Sequence, residues 1–334
     1  MDLKTKAAYH GPGFSVRTNS LEEDICEGRF WSDYRCDAEW GRLRAVQLYL
    51  PSSAISEIPD PNAVLHLAPI QYERLGEQMT QLLHVYETLG VQVHVVSQNL
   101  VHDRLHPNAM FQRDLFWQTR EGAVIARMAS PIRAGEEIYS SQTLANLRVP
   151  IAVTIGGNAT FEGADCLWVN PSTVLCGVGK RTNQAGFEQV RDVLRRQGKG
   201  VRCLAVPVPE NVQHLLGCVQ VISPSRALVR GDVVSHPLLC LLREVGITPV
   251  LVRDTQEVLE LQAFNFVVLD RDTVLLCEEA PKFRKFLQEH DVQVAAVTPS
   301  SELAHAAGGL ACATGILCRT RSPESGLETG NCAL

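Results

Sequence analysis

The sequence predicts an α/β fold in which about five units of two strands, a helix and a strand close into a ring. Three observations predict it. The same order of elements recurs along the chain, successive helices start roughly 45 to 65 residues apart, and the last strand candidate is apolar enough to pair with the first. At 334 residues, with 45% apolar and 20% charged residues, the chain is long enough to bury a core of this size.

The elements follow in order. LRAVQLYLP (43–51) reads as a strand. From Pro69 to about Leu89, apolar residues at Leu75, Met79, Leu82 and Leu83 give helical spacing, and VQVHVVS (91–97) follows as a strand. FQRDLFW (111–117) and AVIARM (123–128) form a strand pair across the turn TREG, then come a helix from about Ile132 to Asn146 and the strand PIAVTI. The unit recurs as ADCLWVN and TVLCGVG, helix Ala185–Arg196, strand VRCLAVP. It recurs again as CVQVIS and RALVRG, helix His236–Val245, strand TPVLVR, and as NFVVLD and TVLLCE, helix Pro281–His290, strand VQVAAV. LACATGILCR (310–319) then pairs with the first strand near Leu43, which joins the chain ends and makes a ring.

Composition narrows the function. A formal charge of -6 without a basic block argues against nucleic acid and anionic membrane as partners, and an acidic cleft suits a cationic small molecule. No apolar run approaches the roughly 20 residues of a membrane helix, and MDLKTKAAYHGPGF lacks the pattern of a secretory signal, so a cytoplasmic location is expected. The eleven cysteines are odd in number and form no CxxC pair, which predicts neither a disulfide framework nor a zinc site. Cys166, Cys176, Cys203, Cys240 and Cys277 lie in apolar runs and are expected to be small buried hydrophobes.

Unusual polar residues stand at corresponding places, near the first strand of each unit. Asp114 lies in FQRDLFW, Glu162 just before ADCLWVN with Asp165 close by, His214 just before CVQVIS, and Cys312 in LACATGILCR. A ring brings such places together, so the two acids of FEGAD (161–165) would open onto a central polar pocket. A thiolate is a nucleophile, a histidine moves protons, and carboxylates hold a cation. Each residue alone has a structural reading: Asp114 in an ion pair with Arg113, His214 in a loop, Cys312 as one more buried thiol. Their joint placement favours chemistry.

GGNA (156–159) reads as a turn delivering Glu162 and not as a phosphate cradle, so no nucleotide cofactor is expected. ARMASPIRAGEE (126–137) places Arg127, Arg133, Glu136 and Glu137 at a helix start, with substrate recognition as the alternative. Residues 1–40, with Trp31, Tyr34 and LEEDICE, form an N-terminal extension, either a cap or a lid; 41–320 form a single catalytic domain; 321–334 form a loose tail in which Cys332 is incidental.

Taken together, PNAMFQRD (107–114), FEGAD (161–165), GKRTN (179–183), HLLG (214–217) and GGLAC (308–312) resemble, in order, the motifs of the pentein superfamily of guanidino-modifying enzymes: arginine deiminases, dimethylarginine dimethylaminohydrolases and amidinotransferases. The resemblance spans about residues 40–320 and implies a five-bladed α/β propeller. It implies Cys312 as nucleophile, His214 as proton carrier, Glu162 as support for the histidine and the guanidinium, and Asp114 as second guanidinium anchor. It implies Asn108 and Arg181 as holders of an amino-acid carboxylate, with Arg113 and Asp165 beside the substrate. Leu216 departs from the aspartate that deiminases and amidinotransferases carry two residues after the histidine; dimethylarginine hydrolases also lack an acid there and GKRTNQAG is similar to their pattern, which leans towards a hydrolase. FQRD is deiminase-like and Cys-Ala-Thr is amidinotransferase-like. The expectation is cysteine-dependent hydrolysis of the guanidino group of arginine or a close derivative, with amidino transfer as the alternative, no cofactor or metal, and a homo-oligomer by resemblance. A non-catalytic binding propeller, as in ribosome-associated initiation factors, would not need Cys312, His214 and Glu162 together.

Overall fold

The computed structural model describes residues 2–96, 106–198 and 200–320. Its strands are β1 (Leu43–Leu48), β2 (Gln92–Val95), β3 (Phe116–Thr119), β4 (Gly122–Ile125), β5 (Ile151–Thr154), β6 (Cys166–Asn170), β7 (Thr173–Val178), β8 (Arg202–Pro207), β9 (Val219–Ser223), β10 (Arg226–Arg230), β11 (Thr248–Val252), β12 (Val267–Asp270), β13 (Thr273–Cys277), β14 (Gln293–Thr298) and β15 (Gly315–Arg319). They form five three-stranded sheets: β15-β1-β2, β3-β4-β5, β6-β7-β8, β9-β10-β11 and β12-β13-β14. In each, the middle strand runs antiparallel to the first and parallel to the third. The fold is the five-bladed α/β propeller.

The expected closure is present. β15 pairs with β1 from Leu43 opposite Arg319 to Gln47 opposite Gly315, so the two ends of the chain share one blade. Burial is graded across each blade. The first strands β3, β9 and β15 are buried along their whole length, whereas the third strands β5, β8 and β11 begin exposed, so first strands line the axis and third strands form the rim. Helices Tyr72–Thr88, Glu137–Asn146, Gln184–Arg196, His236–Glu244 and Pro281–Glu289 connect second and third strands, as parallel neighbours require. Their apolar faces bury residues such as Leu75, Met79 and Leu82 or Val190, Val193 and Leu194 in one core.

Three local expectations are corrected. FQRDLFW is a one-turn helix, Gln112–Leu115, followed by β3. LACATGILCR is a one-turn helix, Leu310–Ala313, followed by β15. Both strands and almost all of both turns are buried, so neither run shows the exposed face that separates a strand's period from a helix's. The helix expected from Ile132 begins at Glu137, because Arg133 and Glu136 fold inward through turn bonds to Ser130 and Arg133.

In the N-terminal segment, Cys36, Ala38 and Trp40 belong to the core and the Trp40 indole donates to the Val169 carbonyl. Among the described cysteines none is in a disulfide; Cys166, Cys176 and Cys277 are buried as expected, while Cys203 and Cys240 are partly exposed. No described helix is long and apolar enough to cross a membrane. The tail 321–334 with Cys332, and the end of the strand expected to reach Ser97, lie outside the described residues.

Candidate active site

The polar residues that precede the first strands meet at one place. Asp114 closes the turn before β3, Glu162 precedes the turn Gly163–Asp165 before β6, His214 precedes the turn Leu215–Gly217 before β9, and Cys312 sits in the turn before β15. A cavity of about 190 Å³ is lined by His214, Leu216, Arg230, Asn265 and Cys312 among others. His214 Nε2 lies 2.7 Å from Glu162 Oε2, and His214 Nδ1 lies 3.8 Å from Asp114 Oδ1. All three residues are buried.

Close backbone contacts put these groups in register. A Cβ on Gly163 would lie on the Phe116 carbonyl oxygen and 2.6 Å from that of Arg113, so only glycine lets the FEGAD turn pack on the turn that carries Asp114. Behind it, Asp165 accepts from Thr182 Oγ1 at 2.6 Å and from the Leu215 N–H at 2.9 Å. Thr182 Oγ1 in turn accepts from the Glu162 N–H at 3.2 Å. Asp165 therefore staples the GKRTN and HLLG loops to the FEGAD turn, which is why FEGAD carries its second acid.

Cys312 is gripped by a residue the sequence reading did not name. The Asn265 amide donates from Nδ2 to Cys312 Sγ at 2.9 Å and accepts the Cys312 N–H on Oδ1 at 2.9 Å. Asn265 stands just before β12, the same place in its blade as the other four residues. The repeat was the signal that would have found it.

Arg133, expected at a helix start, lies instead at the centre of the cluster. Its guanidinium donates to Asp114 Oδ2 at 2.6 Å and to Glu136 Oε2 at 2.8 Å, and its Nη1 is 3.5 Å from Glu162 Oε2. Arg181, expected to hold an amino-acid carboxylate, pairs here with Glu162, its Nη1 3.3 Å from Oε2. Asn108 is buried, donating to the Val64 carbonyl at 2.8 Å, while its own carbonyl faces Arg133 Nη2 at 3.4 Å. Arg113 is not in the pocket: its Nη2 lies 3.0 Å from each carboxylate oxygen of Glu39, and it lines a separate cavity. Asp165 is not among the residues lining the cavity and is bonded to Thr182 and the Leu215 N–H.

The electrostatics follow. Burial lowers the basicity of His214, but Asp114, the Glu162 hydrogen bond and Asp165 outweigh it and push the imidazole up to about 9. Burial and then Asp114 push the Cys312 thiol up to about 11, against the opposing hydrogen bond from Asn265. Burial opposes ionisation of Glu162 too, yet its bond to His214 and the nearby cations hold it well below the usual carboxylate range. Burial lifts Asp165 to about 6 and Glu136 to about 7. At neutral pH the site thus holds a thiol beside an imidazolium. Asp114, Glu162 and His214 offer ligand atoms within 4.8 Å of one another, but the Arg133 guanidinium already lies on the same two carboxylates as the resident cation, so the set does not fit a metal ion.

Five blades whose inner strand ends gather such groups around one pocket define a pentein propeller. The comparisons agree. A family model for arginine deiminase matches residues 86–237. Arginine deiminases of Listeria monocytogenes serovar 1/2a and Bacillus cytotoxicus are 35% and 31% identical over 111 residues, 31% of this chain. That is 27% of either relative, so the match spans about a quarter of the curated relatives' length. Among solved structures, a Pseudomonas aeruginosa dimethylarginine dimethylaminohydrolase, a cysteine-to-serine variant complexed with citrulline, superimposes with a TM-score of 0.65 at 21% identity, covering 83% of this chain and 99% of that one. An amidinotransferase of the saxitoxin pathway from Microseira wollei gives 0.71 at 15%, covering 89% and 100%. The substrate-bound N-terminal domain of a cyanobacterial arginine dihydrolase gives 0.68 at 17%, covering 82% and 98%. The chain shares the fold of these solved proteins, and its residues 86–237 are similar to the arginine deiminase family.

Proposed function

We propose that this protein is a cysteine-dependent hydrolase of the guanidino group of arginine or a close derivative, acting in the cytoplasm on a small cationic substrate and without a cofactor. The observation that carries the reading is Asp114 Oδ1, a buried carboxylate oxygen with no hydrogen-bond donor among the described residues, 3.8 Å from His214 Nδ1 and beside the Cys312 pocket. A buried anion of this kind calls for an N–H donor, and a guanidinium supplies several in one plane. The role of Arg181 is to hold the acid end of the substrate, with Asn108 behind the pocket wall.

The steps are those the groups allow. The Cys312 thiolate attacks the guanidino carbon, forming the C–S bond. His214 gives its proton to the departing nitrogen as the C–N bond breaks, leaving a cationic amidino-thioether on Cys312. Neutral His214 then takes a proton from water as the oxygen bonds to carbon. The C–S bond breaks, thiolate and imidazolium are restored, and the second water proton passes through solvent to the released amine. Amidino transfer differs only in that an amine replaces water, and the match to an amidinotransferase along 89% of the chain keeps it as the second reading.

The test is a mass-spectrometric product scan with arginine, methylated arginines, agmatine and guanidinobutyrate, with and without lysine, glycine or ornithine as acceptor. A ureido product without acceptor is expected. A new guanidino compound formed only with an acceptor would move the assignment to transfer, and full turnover by Cys312→Ser would rule out both.

A further inference from the structure

The geometry points to a second binding site, for one chloride-sized anion, where the N-terminal segment, β3 and β15 meet. It shares no lining residue with the Cys312 pocket. A void of about 10 Å³, room for one water-sized body, is lined by Cys36, Glu39, Arg113, Trp117, Gln118 and Arg319 among others.

Charge is the first argument. Glu39 is matched by Arg113 in a two-bond ion pair. Arg319, only 5% exposed, donates from Nη1 to the Gly41 carbonyl at 2.8 Å and has no carboxylate partner among the described residues. Of the neighbouring charges, Asp37 pairs with Arg120 and Asp33 with Arg35, so both acids are already engaged. Burial pushes the Cys36 thiol up to about 12, so it stays neutral and cannot serve as the counter-ion. One positive charge is left over in a dry place, where an uncompensated ion is costly.

Hydrogen-bond stoichiometry is the second argument. Three buried donors, Arg113 Nε, Trp117 Nε1 and Arg319 Nε, have no acceptor among the described residues, and all three residues line the void. A water molecule offers two lone pairs, too few for three donors, although it could donate to the unpartnered Gln118 Oε1. A halide accepts all three and supplies the missing charge. The ion would tie β3 and β15 to the segment before β1.

The experiment uses the full chain and is independent of any enzymatic reading. Thermal unfolding is followed at constant ionic strength in sodium gluconate, whose anion is too large for the void, with stepwise replacement by chloride or bromide. A saturable rise in Tm of about 2 °C is expected. Crystals grown in bromide should show an anomalous peak among Arg113, Trp117 and Arg319. Trp117→Phe removes one donor without changing charge and should weaken the halide midpoint at least threefold. Superimposable gluconate and halide curves, or a site holding water without bromide, would overturn the proposal. If Trp117→Phe fails to fold, the wild-type titration and the bromide crystal still decide it.

Discussion

At the residue scale the thiol and the imidazole set the pH behaviour. The reactive pair needs Cys312 ionised and His214 protonated, whereas burial and Asp114 favour the thiol. With the imidazole at about 9 and the thiol at about 11, the pair that has lost one proton is most populated between those values. The sign follows: for the proposed guanidino hydrolysis, kcat/KM should rise about tenfold per pH unit from neutrality towards 9, then fall above 11. A flat profile between pH 6 and 8 would contradict this assignment. Asn265 shifts the same balance, because its Nδ2 donates to Cys312 Sγ. In Asn265→Ala the rate of Cys312 alkylation at pH 8 should fall by roughly tenfold, the loss of about one charge-assisted hydrogen bond. Asn265→Asp keeps an acceptor for the Cys312 N–H but removes the donor. It should alkylate at least as slowly as the alanine variant, whereas a purely structural role would leave it near wild type.

At the element scale the blades explain what could be read in advance. The helices Gln184–Arg196, His236–Glu244 and Pro281–Glu289 lie within a residue of their expected bounds, because each has one polar and one apolar face. The turns 112–115 and 310–313 were hidden, because four buried residues have no faces to compare. Asp114, Glu162, His214 and Cys312 were legible through the repeat, and Asn265 would have been by the same logic. Arg133 was not, since its partners Asp114 and Glu162 lie 19 and 29 residues away and only tertiary folding joins them. Two glycines test the packing of these elements. Gly163→Ala would drive a methyl into the Arg113 and Phe116 carbonyls, so a loss of about 1–3 kcal/mol in urea unfolding is expected, with a fall in activity as Glu162 shifts from His214. Gly76 in the helix Tyr72–Thr88 has nothing near its Cβ position, so Gly76→Ala should stabilise by about 1 kcal/mol and leave activity unchanged. Equal effects from the two substitutions would show that the tight turn is not under the constraint assigned to it.

At the scale of the whole molecule, a ring made from one chain must be joined where its ends meet. Pairing of β1 with β15 supplies the backbone part of that joint. The segment before β1 supplies a side-chain part, because Glu39 holds Arg113 through two bonds and also accepts the Trp168 N–H at 3.3 Å, bridging the blades of β3 and β6. A mobile lid over the pocket would contribute little to global stability, whereas a buried ion pair that loses one partner leaves the other charged and unmatched. Glu39→Ala should therefore cost about 3–5 kcal/mol in equilibrium urea unfolding. Below the unfolding transition, Cys312 should still be alkylated at the wild-type rate, since Glu39 touches no group of the pocket. Wild-type stability combined with a changed alkylation rate would reverse the assignment, making residues 35–40 a cover for the site; loss of stability alone makes them part of the ring, extending the propeller upstream of residue 41.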